Sequence, residues 1–148
     1  MPQSLSKVYV HIIFSTKYRQ SIIDEKSRIE IQKYIVSTLA NKGVYTEEIY
    51  INPDHLHILC TLPRTITIAK LVATVKAPSS MRLKEKGINN FRWQEGYGCF
   101  SVSASKVDVV KKYIKNQKEH HKQLDFKDEL RMFFKEYRTD YDERYVWD

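Results

Sequence analysis

The chain has 148 residues, a net charge of +7 and 42% hydrophobic residues, which is enough for one core, so we expect a single domain over residues 1–148. It has no run of about 20 consecutive apolar residues, and its amino terminus lacks the charged-then-apolar order of a signal peptide. Two cysteines do not make a disulfide framework. These features argue against a membrane protein or a disulfide-rich secreted domain and predict a cytoplasmic protein. The basic charge fits a polyanionic partner or a solvated lysine-rich surface equally well.

The first half of the chain alternates between strand and helix patterns. Lys7–Thr16 is rich in β-branched and aromatic residues and predicts a strand. Asp24–Gly43 predicts a helix, because it begins with a capping residue, carries an apolar stripe and ends at a glycine. Val44–Ile51 and His55–Leu62 predict two further strands, separated by an Asn-Pro-Asp turn.

The second half repeats this alternation and adds helices at its end. Thr67–Lys76 predicts a helix that Pro78 should break or kink, with a continuation to Lys86 left open. Tyr97–Ala104 predicts a fourth strand. Two more helices are predicted, over Lys106–Lys122, with Ser105 and Asp108 in capping-box spacing, and over Phe126–Tyr137.

The order of these elements predicts an α+β fold. The order β-α-β-β-α-β is that of a ferredoxin-like antiparallel sheet with helices on one face. The remaining helices follow at the carboxyl end, and one of them carries Tyr113. In this topology the first and third strands are central, so the third strand has a well-fixed register.

The third strand begins with His55-Leu56-His57. Residues two apart on a strand share a face, so the imidazoles of His55 and His57 point the same way, while Leu56, Ile58 and Cys60 point into a core. Paired imidazoles on a rigid strand are suitable metal ligands. Two ligands are too few for a stable site, and the alternative is a pair of ordinary hydrogen-bonded histidines.

A third ligand is available on the helix predicted over Lys106–Lys122. Tyr113 and Gln117 lie one turn apart, along the edge of the helix's apolar stripe. A glutamine at such an edge needs a polar partner. The alternative is a packed tyrosine beside a solvated glutamine, and the spacing alone leaves both interpretations open.

The histidine pair followed by Tyr113-x-x-x-Gln117 resembles the signature of the single-tyrosine HUH transposases, small insertion-sequence transposases that act on single-stranded DNA. The similarity extends over nearly the whole chain. It is also visible in His11–Arg19, Trp93–Gly98 with Phe100–Ser103, Asn116–His121 and Tyr141–Trp147.

The resemblance implies a site and a reaction. His55, His57 and Gln117 would hold a divalent metal ion, Mg²⁺ or Mn²⁺, and Tyr113 would be the nucleophile. Attack on a backbone phosphate would leave a 5′-phosphotyrosine link and a free 3′-hydroxyl, and the reverse reaction would rejoin the strand without a nucleotide cofactor. A phenol has a pKa of about 10, so metal activation of the phosphate is needed near neutrality. Three neutral ligands should bind the metal weakly without DNA.

The resemblance also implies partners. Family members act on hairpin-bearing element ends and work as dimers, so we expect single-stranded DNA and a homodimer here. Lys17, Arg19 and Lys112 are the candidate DNA contacts, with a solvated surface as the alternative. The sequence does not decide whether the tyrosine helix serves its own histidine pair or that of the partner.

Other functions remain as alternatives. One is a domesticated relative that processes repeated palindromic elements, and another is a non-enzymatic nucleic-acid-binding module on the same sheet. A metal-dependent hydrolase is a third, although Asp54 is the only acid near the histidines in the sequence. His120 and His121 could be further ligands or DNA contacts, and the sequence does not assign them a role.

Overall fold

A computed structural model describes residues 2–121 and 124–148 of the chain. Its centre is a four-stranded antiparallel sheet in the order β2-β3-β1-β4, so the first and third strands are central, as predicted. The strands are β1 (Tyr9–Ser15), β2 (Thr46–Ile51), β3 (His55–Thr61) and β4 (Gly98–Val102).

Five α-helices accompany the sheet within the described ranges. They are α1 (Glu25–Ala40), α2 (Ile68–Glu85), α3 (Val107–Lys115), α4 (Gln117–His120) and α5 (Phe126–Glu136). Asp24 caps α1 by accepting a hydrogen bond from the Ser27 amide at 2.7 Å, which confirms the predicted start. Across residues 2–121 and 124–148, none of the helices has the length and apolar character needed to cross a membrane.

The structure decides one open detail of the predicted helices and corrects another. Helix α2 runs through Pro78 without a break as far as Glu85, so the continuation that the sequence left open is present. The proline removes one backbone hydrogen bond, but the buried face formed by Leu71, Val75 and Leu83 keeps the helix packed. The helix predicted over 106–122 is divided at Asn116 into α3 and α4, and no side-chain cap precedes α3, so the predicted capping box is wrong.

The two faces of the sheet pack against different helices. Leu56, Ile58 and Cys60 of β3 join the apolar cluster that includes buried residues of α1 and α2. His55 and His57 point to the opposite face, which confirms the predicted alternation. Residues of α3 and α5 cover that second face through two smaller apolar clusters. The histidines therefore lie between the sheet and the carboxyl-terminal helices.

Candidate active site

The histidine pair is fixed by the register of the central strands. His55 pairs with Ser15 and His57 pairs with Ile13 of β1. Both imidazoles are buried, with ring centroids 5.2 Å apart. Because hydrogen-bonded strands flank β3 on both sides, the directions of the two rings are set by the sheet.

His55 is oriented by the residue before it. Its Nδ1 lies 2.6 Å from the Asp54 carboxylate, so the ring donates there and Nε2 is directed into the site. Burial alone would lower the pKa of His55, but hydrogen bonds to Asp54 and Glu129 raise it above its ordinary value. Burial likewise would raise the pKa of Asp54, and the bond with His55 lowers it.

His57 is oriented by a third histidine on the neighbouring strand. His11 Nε2 lies 2.9 Å from His57 Nδ1, which leaves His57 Nε2 directed into the site. Burial lowers the pKa of both groups, and the nearby charge of His57 lowers that of His11 further. The pair can exchange donor and acceptor roles, because a neutral imidazole offers one of each.

Tyr113 lies on α3 beside its own chain's histidines. Its ring centroid is 6.0 Å from that of His57, and its hydroxyl donates to Glu129. Ile114 buries the adjoining face of the helix against Leu59 and Val102. Burial and the negative charge of Glu129 raise the pKa of Tyr113 above its ordinary value.

Gln117 is fully buried at the start of α4 and meets the polar partner that its position required. Its Oε1 lies 2.9 Å from His121 Nε2 and 3.3 Å from Asn52 Nδ2. Asn52 Nδ2 is in turn 3.0 Å from His55 Nε2. The amide therefore belongs to one hydrogen-bonded network with the histidine pair.

Glu129 of α5 occupies the centre of this network. The carboxylate is fully buried, and its Oε1 lies 2.9 Å from His57 Nε2, 3.4 Å from His55 Nε2 and 3.3 Å from His121 Nε2. Burial would raise the pKa of Glu129, but the charge of His57 and bonds from the three histidines hold it well below its usual range. His55, His57, His121 and Glu129 can hold a metal ion, since their ligand atoms lie within 4.8 Å of one another.

Sequence reasoning missed Glu129 and left His121 unassigned. A signal for Glu129 was present, because it interrupts the apolar stripe that Phe126, Leu130 and Phe134 form on α5. An acid within such a stripe must have a buried partner. His121 follows Gln117 by four residues, and the two side chains are in contact at 2.9 Å. The side chain of His120 lies outside the described residues.

The three predicted DNA contacts lie around this site but outside the network. Lys17 and Arg19 are in a short 3-10 turn after β1, and both are partly exposed. This turn is at the His55 end of the sheet, because the Thr16 amide donates to the Asp54 carbonyl at 2.8 Å. Lys112 is exposed on α3, next to Tyr113.

The fold and site define a class of protein. Two buried histidines on a central strand of the antiparallel sheet meet His121, at the end of α4, and Glu129 of α5, and a tyrosine hydroxyl contacts the same carboxylate. This arrangement is suited to metal-assisted attack by a tyrosine, which is the chemistry of a covalent-intermediate enzyme. The family described as Transposase IS200 like matches residues 4–117, and the chain belongs to that family. It is a transposase, as the sequence resemblance implied.

Individual relatives agree with this family. The ISDra2 transposase TnpA of Deinococcus radiodurans is 25% identical over 114 residues, which cover 72% of this chain and 81% of that protein. The IS200 transposase of Salmonella typhimurium is 27% identical over 119 residues, with 76% of this chain and 78% of the relative covered.

Solved structures share the fold. A crystal structure of a candidate transposase from Deinococcus radiodurans R1 matches with a TM-score of 0.63 at 20% identity, over 79% of this chain and 98% of that one. A REP-associated tyrosine transposase bound to a REP hairpin matches with a TM-score of 0.61 at 13% identity. That match covers 84% of this chain and 74% of the other.

Proposed function

We propose that this transposase cleaves and rejoins single-stranded DNA, with Tyr113 as the nucleophile and a divalent cation held by His55, His57 and Gln117. The proposal is carried by one observation, which is that the carboxylate of Glu129 contacts both His57 and Tyr113. Oε1 of Glu129 accepts from His57 at 2.9 Å, and its other oxygen accepts from the Tyr113 hydroxyl. The nucleophile and His57 therefore contact the two oxygens of the same carboxylate, and their ring centroids are 6.0 Å apart.

The hydrogen bonds at the Nδ1 atoms of His55 and His57 are compatible with a bound metal ion as well as with the metal-free network. Asp54 accepts the Nδ1 proton of His55, which leaves the Nε2 lone pair for a cation. His11 can accept a proton from His57 Nδ1 in the same way. The donor set of imidazole nitrogens and amide oxygen suits Mn²⁺, and Mg²⁺ less well.

The reaction requires Tyr113 to lose its proton. Burial and the charge of Glu129 raise the pKa of this phenol, so the metal-free protein keeps it protonated. A bound cation would supply positive charge beside the phenol and the scissile phosphate. The Tyr113 Oη–P bond forms as the P–O3′ bond breaks. The phenol proton passes to water, and the 3′-oxygen takes a proton from solvent.

DNA binding is proposed for the basic residues around the site. Lys17 and Arg19 occupy a turn that is hydrogen-bonded to the Asp54 segment, so they are close to the histidine end of the sheet. Lys112 is exposed next to the nucleophile. The relative bound to a REP hairpin supports a hairpin-bearing single strand as the DNA partner.

A homodimer and a cytoplasmic location complete the proposal. In the single chain, α3 rests on β2 of the same chain through Lys111–Glu47 and Lys115–Glu48 ion pairs at 3.6 and 3.7 Å. In the single chain Tyr113 lies beside the histidine pair of the same chain. Multi-angle light scattering of the protein with and without DNA tests the dimer, and a monomer in both states would contradict it.

The reaction is tested with single-stranded oligonucleotides that cover the DNA flanking the coding sequence, in Mn²⁺ or Mg²⁺. We expect a protein–DNA adduct that survives denaturing electrophoresis and is absent with Tyr113→Phe. Double-stranded versions of the same oligonucleotides should give no adduct.

A matched control is Tyr137→Phe, because Tyr137 lines the same small cavity as Tyr113. Its hydroxyl donates to the Ser101 carbonyl and does not face the histidines. The control variant should form the adduct. An adduct that persists in Tyr113→Phe would refute the assignment of the nucleophile.

A further inference from the structure

Glu129 lies outside the family-matched segment, which ends at residue 117, and no sequence motif assigned it a role. It nevertheless contacts three histidines and the tyrosine of the site. Three imidazole Nε2 atoms, from His55, His57 and His121, lie 2.9–3.4 Å from its Oε1. A carboxylate with no exposed surface is an unusual group to place on a helix of this size.

The charge of this carboxylate needs a cation. Among the described residues, the ion pairs of Glu129 are with histidines alone, and no lysine or arginine joins them. A buried carboxylate is costly unless it is paired with positive charge or coordinates a metal. Protonation of a histidine would satisfy it in the metal-free protein. A divalent cation would satisfy it without protons, since each facing nitrogen could then act as a ligand.

We propose that Glu129 and His121 join His55, His57 and Gln117 as ligands of the metal at this site, so that three imidazoles, one amide oxygen and one anionic oxygen hold the ion. This inference rests on the proposed function, because it concerns the same ion as His55 and His57. One ligand atom from each of His55, His57, His121 and Glu129 lies within 4.8 Å of the other three, which is compact enough to surround one ion.

The second oxygen of Glu129 contacts the nucleophile. It accepts a hydrogen bond from the Tyr113 hydroxyl, so the same carboxylate contacts both the histidines and the tyrosine. Glu129 would therefore position Tyr113 relative to the ion. Gln117 Oε1 lies 2.9 Å from the same Nε2 of His121. That nitrogen would lose its proton on ligating the ion, and the amide oxygen would then be free to contact the ion as well.

With Glu129 and His121 as ligands, the DNA-free protein should bind metal more tightly. Two imidazoles and an amide are neutral and should bind weakly without DNA. An anionic carboxylate and a third imidazole add charge and donor strength, so Mn²⁺ or Co²⁺ should bind the DNA-free protein. Mg²⁺ should bind less well, because imidazole suits it poorly.

The test is calorimetric titration of the DNA-free protein with Mn²⁺, together with the visible absorption of the Co²⁺-loaded form. Glu129→Gln keeps the size of the side chain and removes its charge. We expect this variant to lose Mn²⁺ affinity by at least about tenfold and to change the Co²⁺ spectrum, and His121→Asn to do the same. Glu136→Gln, an exposed change on the same helix, should leave both unchanged.

The outcomes separate this inference from the proposed function. Loss of binding in His57→Ala with unchanged affinity and Co²⁺ spectrum in Glu129→Gln would refute the role of Glu129 alone. Unchanged binding in both variants would refute the metal site as a whole.

A measurement on the wild-type protein does not depend on the folding of any variant. The infrared difference spectrum between metal-loaded and metal-free protein should contain a shifted carboxylate stretch. X-ray absorption of the Co²⁺ form should fit three imidazoles. No carboxylate shift, or a fit to two imidazoles, would overturn the proposal.

Discussion

The two faces of strand β3 are buried to the same extent but have opposite chemistry. Leu56 and Ile58 are fully buried on the face toward α1 and α2, and His55 and His57 are almost as fully buried on the face toward α3 and α5. The first face is stabilised by complementary packing alone, because apolar side chains gain from burial without specific partners. The second face needs a partner for every polar atom.

This difference explains the elaborate second layer of the site. Asp54 and Asn52 hold His55, His11 holds His57, and Glu129 meets both rings. Such a network rigidifies its members when every group is paired. We therefore expect changes on the apolar face to lower stability and changes on the polar face to lower metal binding.

Ile58→Ala should give the largest effect on stability. The side chain is fully buried among the residues of the main apolar cluster, and its truncation leaves a cavity. The free energy of unfolding should fall by about 2–5 kcal/mol, measured by urea denaturation. The Mn²⁺ affinity of the folded fraction should not change, and a large loss would show that the two faces are coupled.

Asp54→Asn should act mainly on metal binding. The change replaces the charged acceptor that lies 2.6 Å from His55 Nδ1 with a neutral amide, which can also turn its NH₂ group toward the ring and so fixes the His55 tautomer less strongly. Loss of such a supporting group lowers metal affinity by about 10–100-fold, which calorimetric titration with Mn²⁺ measures. Unchanged affinity would indicate that the sheet alone orients His55.

Thr67→Ala tests the helix layer that covers the apolar face. The Thr67 hydroxyl accepts from the Lys70 amide at 3.1 Å and caps α2. Its loss should cost about 1 kcal/mol of unfolding free energy in urea and leave Mn²⁺ binding unaffected. Weakened metal binding here would contradict the separation of the two faces.

The double change Glu47→Gln with Glu48→Gln should have the smallest effect. These residues make the ion pairs that join β2 to α3, and both are partly exposed. Pairs of this kind contribute about 0.2–1 kcal/mol each, less at high salt. Urea denaturation at low and high salt should show a loss below about 2 kcal/mol that shrinks as salt rises. A larger loss would mean that these pairs, rather than the apolar contacts of Ile114, hold the tyrosine helix.

Local patterns determined the strands, most of the helices and the direction of the histidine pair. The period of two in β3 was enough to separate His55 and His57 from Leu56 and Ile58, and the order of elements was enough to make β1 and β3 central. The resemblance to HUH transposases drew attention to Tyr113 and Gln117. These features follow from residues near one another in sequence, or from a motif of fixed spacing.

Only the tertiary structure brought Glu129 and His11 to the histidine pair. Glu129 is 72 residues from His57, and His11 is 46 residues from it, so no local spacing relates them. The long predicted helix is also interrupted at Asn116, whose φ of −94° and ψ of 20° depart from helical values, and its local spacing did not indicate this. The sequence by itself therefore determined the sheet, the direction of the paired imidazoles and the helix that carries the tyrosine. Which buried groups neutralise one another depends on how the chain closes over the second face, and that closure is a long-range property.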